Sequence, residues 1–585
     1  MKVVDLKPDA ELWPRVREYF PHAGVRRYQA DLANQIYDLL SAGDRNLVVE
    51  APTGLGKTAS VGAGVMAYAA DNGFRVLWLT RTGSQVSHVS RELRCLPIYG
   101  RRMVCIHETV SKIDLRRFNA ACRAVRRAGR CPYWPGFPRA VRPPVTAKEV
   151  REIGRRIQAC PHDCLIASLY ATRMVAATHM QLRSIGWLLA KWRARRERTI
   201  LVLDEGQHVV KSALSMIADS ISLRTVERAA KEAKKYGFKD LGEELEKAVE
   251  EYRGILSEDG EVEVEDLLPD VNDLALAGDE IQEAKLREGY VPASHVLSLA
   301  DFKLALKNNK PILVKEGNRL RLEAPADPVE SLKSIYEGWA ATVTMSATIS
   351  AELLESFLGR EVTLLRAGWP FEEDNLTAYV VRGLTTKFER RDETLINDMA
   401  WAIDLAAKTG KKSLVFFPSH ELLQKALARA SRKDVVIAES PGLTQEEIEN
   451  IIRDYEEDHK RVILSVFNGR LAEGVDLSAN LVICLGIPFS PPTAKQQALI
   501  KRLSEVLGDE RKARIYGQIV PAVWSAIQAA GRAIRGPEDR AVVFLVDDRY
   551  KPLRRLLPRW FAERIASTIR LEDLPITLGE VRSIA

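Results

Sequence analysis

The sequence predicts an α/β protein built around two doubly wound parallel sheets. Three observations carry that expectation. Glu50 to Ser60 reads EAPTGLGKTAS and follows the apolar run Leu47-Val48-Val49, which sets a glycine-rich loop between a buried strand and a helix. Toward the C-terminus, short apolar runs bounded by turns alternate with helix-like segments, the pattern of a parallel sheet. The chain has 585 residues, more than one compact core organises.

The first loop, Ala51-Pro52-Thr53-Gly54-Leu55-Gly56-Lys57-Thr58, has the residue types of a phosphate cradle with alanine at its first glycine position. Gly54 and Gly56 allow a tight turn with no Cβ facing the phosphates. The amides and the N-terminal end of the helix-like run Ala59 to Ala70 then face the anion. Lys57 suits the β/γ-phosphates and Thr58 suits Mg²⁺, which makes ATP the expected substrate. An acidic partner is expected at another strand end. The stretch TILVLDEGQH supplies it: Asp204 for Mg²⁺ and Glu205 for the attacking water follow the apolar run Ile200 to Leu203.

The second sheet is read from KKSLVFFPS, RVILSVFNG, LVICLGIPF and AVVFLVDDR, with helices over Glu421 to Ala430 and Gln445 to Glu457 between them. AEGVDL places Glu473, Gly474 and Asp476 just past a strand end. QAAGRAIRG places Gln528, Arg532 and Arg535 at helical spacing, on one face of the helix expected there. An arginine brought to the γ-phosphate from a second domain stabilises transition-state charge.

The formal net charge is +7, and 46% of residues are hydrophobic. No apolar run reaches the ~18 residues of a membrane span, and MKVVDLKPDAELW lacks the pattern of a signal peptide. The expectation is a soluble, cytoplasmic protein without membrane partners. Residues 101–157 hold 15 Lys/Arg, 13 of them Arg, against Glu108, Asp114, Glu149 and Glu152. Such a block faces either phosphate or solvent. Of seven cysteines, six lie between Cys95 and Cys164, a clustering that suggests metal or an iron–sulfur centre.

Taken in order, these stretches resemble the XPD type of superfamily 2 DNA helicases, relatives of FANCJ and DinG. VRRYQ resembles the adenine-side motif, with Arg26 and Gln29 in the matching places. VLWLTRTGSQ, VTMSATIS, SLVFFPSHELL, GRLAEGVDL and QAAGRAIRG resemble motifs Ia, III, IV, V and VI. The resemblance implies two RecA-like doubly wound parallel-sheet motor domains. A small iron–sulfur insertion and a mostly helical Arch insertion interrupt the first. The expected boundaries are 1–92, 166–208 and 336–366 for motor domain 1, 93–165 for the cluster domain, 209–335 for the Arch and 367–585 for motor domain 2.

It also implies a 4Fe-4S cluster on Cys105, Cys122, Cys131 and Cys160. Cys164 competes for the fourth place, and zinc is the alternative metal. The spacing Cys105-x16-Cys122-x8-Cys131-x28-Cys160 is loose for a zinc ribbon, and Pro161 follows Cys160 as it follows the family's last ligand. The implied partners are single-stranded and forked DNA and repair proteins. The implied activity is 5′→3′ unwinding in nucleotide excision repair by a monomer, and the composition looks archaeal. The chain departs from the family at motif II, where Gly206-Gln207 stands in place of Ala-His and His208 follows. Glutamine exchanges hydrogen bonds but cannot become cationic. A DNA-stimulated ATPase with weak unwinding is therefore a second reading, and a cluster- or zinc-stabilised binding protein with a vestigial ATPase is a third.

Overall fold

The computed structural model describes residues 1–443, 445–472, 477, 479–490, 493–534 and 536–581, without the side chains of 445, 446, 494, 580 and 581. Two parallel sheets dominate it. The first has eight strands in the order Lys2–Asp5, Thr363–Arg366, Asn46–Glu50, Ala341–Ser346, Thr199–Asp204, Arg75–Thr80, Met174–Thr178 and Leu96–Ile98. The second has seven, in the order Val436–Ala438, Val462–Val466, Ser413–Phe417, Leu481–Leu485, Ala541–Val546, Leu376–Arg382 and Ile565–Arg570. All four apolar runs read as strands in the second half are central here, and their five- and six-residue cores are wholly buried. Strands covered on both faces are continuous hydrophobic runs, which is why these were legible.

Strand order matters for the site. Ala341–Ser346 lies between the strand that precedes the glycine loop and the strand that ends in Asp204, pairing Thr344 with Val48 and with Leu203. Residues about 140 to 300 apart in sequence thus end side by side at the C-terminal edge of the sheet, where open α/β sheets bind ligands.

Within the segment between Asp204 and Ala341, the helices Leu223–Lys235, Lys239–Ile255, Val271–Arg287 and His295–Leu306 gather around a core of their own. The segment also carries an antiparallel four-stranded sheet, Ile217–Ser222, Arg319–Pro325, Ile312–Glu316 and Gly260–Glu263. The helical expectation missed this sheet because its strands are short and partly exposed, so their apolar alternation is weak.

The segment around the clustered cysteines is built on the helices Leu115–Arg127 and Ala147–Arg156, capped by Asp114 and Thr146. Its small apolar core includes Leu286 and Ala293 from the helical insertion. The helix Ala494–Leu507 leaves the second sheet and sends Leu499 and Leu503 into the core of the first lobe. Lys495 on it donates to Glu323 of the antiparallel sheet at 2.8 Å.

Candidate functional site

The loop after Asn46–Glu50 turns through Gly54 (φ 79°) and Gly56 (φ 85°), and the helix Lys57–Asn72 starts immediately. Only glycine takes such angles without strain. A Cβ on Gly56 would also stand 2.2 Å from Gln29 Nε2. Gln29 braces the loop: its Nε2 donates to Leu55 O at 2.8 Å, and its Oε1 accepts from Arg26 N at 2.8 Å. Arg26 Nη1 donates to Gly54 O at 3.2 Å. Lys57 Nζ donates to Ala51 O and Pro52 O at 3.1 and 3.0 Å.

Asp204 and Glu205 face this loop. Glu205 holds a left-handed backbone (φ 54°) as the chain leaves its strand, and the helix Gln207–Leu214 follows. Burial, then the neighbouring Glu205 carboxylate, push the Asp204 carboxyl well above the usual range, while Lys57 opposes them. Burial likewise lowers Lys57, against the pull of Glu205 and Asp204. Two carboxylates and an ammonium held this close and this dry suit a polyanion with a divalent cation. Thr58 stands at the helix start beside Lys57 and lines the same cleft.

The cleft, about 1000 Å³, is closed from the second lobe. Thr53, Gly54, Gly56, Lys57, Thr58, Asp204 and Glu205 line one wall, and Gln528 and Arg532 line the other. Among the described residues, hydrogen bonds join the lobes around it. Thr53 Oγ1 donates to Gly531 O at 3.2 Å, Lys211 Nζ to Ser525 Oγ at 2.8 Å, and Trp560 Nε1 to Ala347 O at 3.0 Å.

One expectation is corrected. Gln528 and Arg532 do not share a continuous α-helix, because the helix Val520–Ala530 gives way to a 3₁₀ turn, Gly531–Ala533, and Ile534 is extended. Gly531 sits against Thr53 across the cleft, and this approach aims Arg532 by a turn, with its Nε donating to Ala472 O at 2.9 Å. Arg535, Glu473, Gly474 and Asp476 lie outside the described residues.

At motif II, Gln207 is fully buried and donates through Nε2 to Glu205 Oε2 at 2.5 Å. His208 does not take the missing histidine's place. Its Nε2 lies 3.3 Å from Arg81 Nη1, and burial, then Arg81 and Lys211, hold it neutral with a pKa lowered to about 2.

The sequence reading missed several residues of the cleft wall. His22, His88 and Glu92 form one chain there, at 3.1 and 2.8 Å to the Glu92 oxygens. Arg81 precedes Thr82, whose capping box with Gln85 starts the helix Gly83–Leu93; the T-x-x-Q spacing was a readable signal for that helix start. Lys211, Ser525 and Trp560 left no local signal.

Cys105, Cys122, Cys131 and Cys160 are unbridged, half-buried and line one small cavity with Arg101, Arg126 and Trp134. Cys164 is fully buried in the core of the first lobe and does not line it. Burial pushes the Cys105, Cys131 and Cys160 thiols up, Cys160 to about 12. Backbone N–H groups of His107, of Tyr133, and of Asp163 and His162 oppose this at the same three sulfurs. These amides, with Arg101 and Arg126, offset part of the burial, and four cysteine sulfurs on one cavity are the donor type that an iron–sulfur cluster binds as thiolates. Among the described residues, no three His, Cys, Asp or Glu groups are grouped so as to hold a metal ion. Cys95 and Cys484 are buried core residues.

The basic segment 101–157 divides in use. Arg116 pairs with Asp219 at 2.6 Å, Arg117 meets His295 at 2.8 Å and Arg130 donates to Leu286 O, so these three fasten the cysteine segment to the helical insertion. Arg126 pairs with Asp163 at 3.0 Å and stacks over Trp134. Arg127, Arg139, Arg142, Arg155 and Arg156 are exposed. Of the four aromatics there, Phe118 is buried in the segment's own core, Tyr133 and Trp134 line the cysteine cavity and Phe137 is 92% exposed.

Comparison with known proteins matches residues 78–226 to the DEAD_2 family model and residues 402–564 to a helicase C-terminal domain model. The ATP-dependent DNA helicase XPD of Sulfolobus acidocaldarius is 24% identical over 428 residues, 69% of this chain and 75% of that protein. The ATP-dependent DNA helicase CHL1 of Kluyveromyces lactis is 20% identical over 571 residues, covering 82% and 69%. A solved XPD helicase structure superposes with TM-score 0.73 at 21% identity, over 94% of this chain and 100% of the other. Xpd4 of S. tokodaii superposes with TM-score 0.62 at 18% identity, over 93% and 99%.

Proposed function

The chain belongs to the XPD-type superfamily 2 helicases and is an ATP-dependent DNA helicase; on that premise we propose that it moves 5′→3′ along one DNA strand and opens duplex ahead of it, as a cytoplasmic monomer acting with repair proteins in nucleotide excision repair. The observation that carries the mechanism is the cleft in which the glycine loop, Asp204 and Glu205 of one lobe face Gln528 and Arg532 of the other.

ATP lies in that cleft with its triphosphate in the amides of residues 51–58. Arg26 and Gln29 brace the loop from the adenine side. Lys57 holds the β/γ-phosphates and Glu205 orients and deprotonates the attacking water. Thr58 and Asp204 would hold Mg²⁺, which supplies charge neutralisation at the phosphates when bound. Arg532, and in the family pattern Arg535, approach from the far lobe, where an arginine accelerates such transfers by about 10³–10⁵. In the same pattern Glu473, Gly474 and Asp476 complete the nucleotide side of the second lobe. Hydrolysis removes the bridge between the lobes, which then alternate their grip on DNA through phosphate contacts and base stacking.

Cys105, Cys122, Cys131 and Cys160 would hold the 4Fe-4S cluster, which supplies a covalent staple for a segment with little core of its own. Phe137 among exposed arginines suits a strand-separating surface at the fork. The domain limits given above are proposed to hold, with the antiparallel sheet counted in the Arch. CHL1 helicases stand beside XPD among the relatives, and the repair assignment rests on the XPD likeness.

The test is unwinding of 5′-tailed against 3′-tailed duplexes. Strand release from the 5′-tailed substrate alone is expected, and release from the 3′-tailed one alone refutes the polarity. Turnover of ATP on DNA without release would favour the second reading, translocation or remodelling without unwinding, which the engagement of Gln207 by Glu205 supports. Activities that survive Lys57→Ala unchanged would favour the binding protein with a vestigial ATPase.

A further inference from the structure

In this chain Gln207 cannot reach across the cleft. Its amide is engaged by Glu205, its Oε1 has no hydrogen-bond partner among the described residues, and its side chain is fully buried. His208 is turned to Arg81 at the edge of the first sheet. Among the described residues, Lys211 of this helix does cross, one turn beyond Gln207 and therefore on the same face. Its Nζ donates to Ser525 Oγ at 2.8 Å. Ser525 is 3% exposed and lies on the helix Val520–Ala530, three residues before Gln528. Its hydroxyl stands 2.9 Å from Asn468 Oδ1 and 3.0 Å from Pro521 O. Asn468 follows the strand Val462–Val466 and leads into the segment that carries Glu473 and Asp476.

We propose that Lys211, acting through Ser525 and Asn468, is the positioning residue that passes the state of the Asp204–Glu205 turn to the second lobe. The proposal rests on the helicase reading above. The helix Gln207–Leu214 starts at the turn that carries Glu205, so a shift of that carboxylate moves Lys211 with it. A hydroxyl has one proton and two acceptor sites. Accepting from an ammonium therefore directs the Ser525 proton to Asn468 or to Pro521, and a charge-assisted bond of this kind is about twice as strong as a neutral one. The link thus joins motif II to the helix of Gln528 and, in the same chain of contacts, to the loop after Val462–Val466. Lys211 thus places a cation one turn beyond Gln207, which cannot itself become cationic.

The experiment measures ATP turnover of the full chain with and without a single-stranded oligothymidine. The variants are Lys211→Met, Lys211→Arg, Ser525→Ala and the double Lys211→Met/Ser525→Ala. Wild type must show DNA-stimulated turnover; if it does not, the helicase reading fails and this proposal with it. Given that stimulation, Lys211→Met and Ser525→Ala should each lower it about tenfold, the scale of one charge-assisted hydrogen bond. The KM for ATP should stay within about twofold, because the interaction acts on coupling and not on nucleotide binding. Lys211→Arg, which keeps charge and donor, should recover most of the stimulation. The double variant should be no worse than either single one. Independent, multiplying losses in the double variant, or unchanged stimulation in both single variants, overturns the proposal while leaving the helicase reading intact. Ser525→Ala removes one oxygen from a well-packed helix and gives the answer even if Lys211→Met folds poorly.

Discussion

Restoring the family's alanine at motif II by Gly206→Ala should damage this chain, although alanine is ordinarily the better helix residue. Gly206 has φ −60° and ψ −21°, angles alanine adopts freely, so backbone strain is not the objection. The objection is space. A Cβ on Gly206 would lie 2.2 Å from Thr344 Cγ2, deep inside van der Waals contact. Thr344 is fully buried in Ala341–Ser346 and cannot simply rotate, because its Oγ1 shares a 3.0 Å hydrogen bond with Tyr336 OH. Forcing one methyl group into such a place costs about 1–3 kcal/mol. The gain from restricting the unfolded chain returns about 0.4–1 kcal/mol. The net expectation is about 1–2 kcal/mol of destabilisation, with displacement of the adjacent Glu205 and loss of ATP turnover. Thermal unfolding and turnover are the assays, and with two lobes the first transition is the one compared. Thr344→Ser removes the offending methyl but keeps the hydroxyl for Tyr336. Gly206→Ala/Thr344→Ser should therefore recover most of the loss. The reasoning is refuted if Gly206→Ala melts and turns over like wild type, or if Thr344→Ser merely adds its own deficit.

Other outcomes follow from the same geometry. Anaerobically purified protein should absorb broadly near ~400 nm; Cys160→Ser should lose that absorbance and its iron, whereas Cys164→Ser, remote from the cavity, should keep both. Phe137→Ala should weaken strand separation and forked-DNA affinity by about 1–3 kcal/mol of lost stacking while DNA-stimulated ATP turnover persists; unchanged unwinding rates would remove Phe137 from the fork. The hydrogen bond to Glu92 raises the His88 pKa, so its contribution to stability is complete below the unfolded value of about 6.5 and disappears as pH rises through the folded value. The melting temperatures of wild type and His88→Ala should thus differ at pH 6 and converge by about pH 8.5; a constant difference across that range would deny the titration.

Much of the protein was written in neighbouring residues. The glycine loop, the Asp204–Glu205 turn and the four buried strands of the second sheet depend on local backbone demands: φ above zero at Gly54 and Gly56, an acid at a strand end, unbroken apolar runs. The order of these segments was enough to suggest the family; the clustering of six cysteines was visible by type and proximity, and the resemblance singled out four of them. The tertiary structure decided everything that depends on two distant surfaces meeting. It separated Cys160 from Cys164 by placing one on the cavity and the other in a core. It made clamps of Arg116, Arg117 and Arg130, and ended the Gln528 helix in a turn where Gly531 meets Thr53. It also engaged Gln207 with Glu205 and set Lys211 against Ser525, 314 residues away. A sequence pattern encodes which face of a helix is buried, but not which side chain of another lobe lies against it, because that is fixed only when the sheets and their insertions pack together.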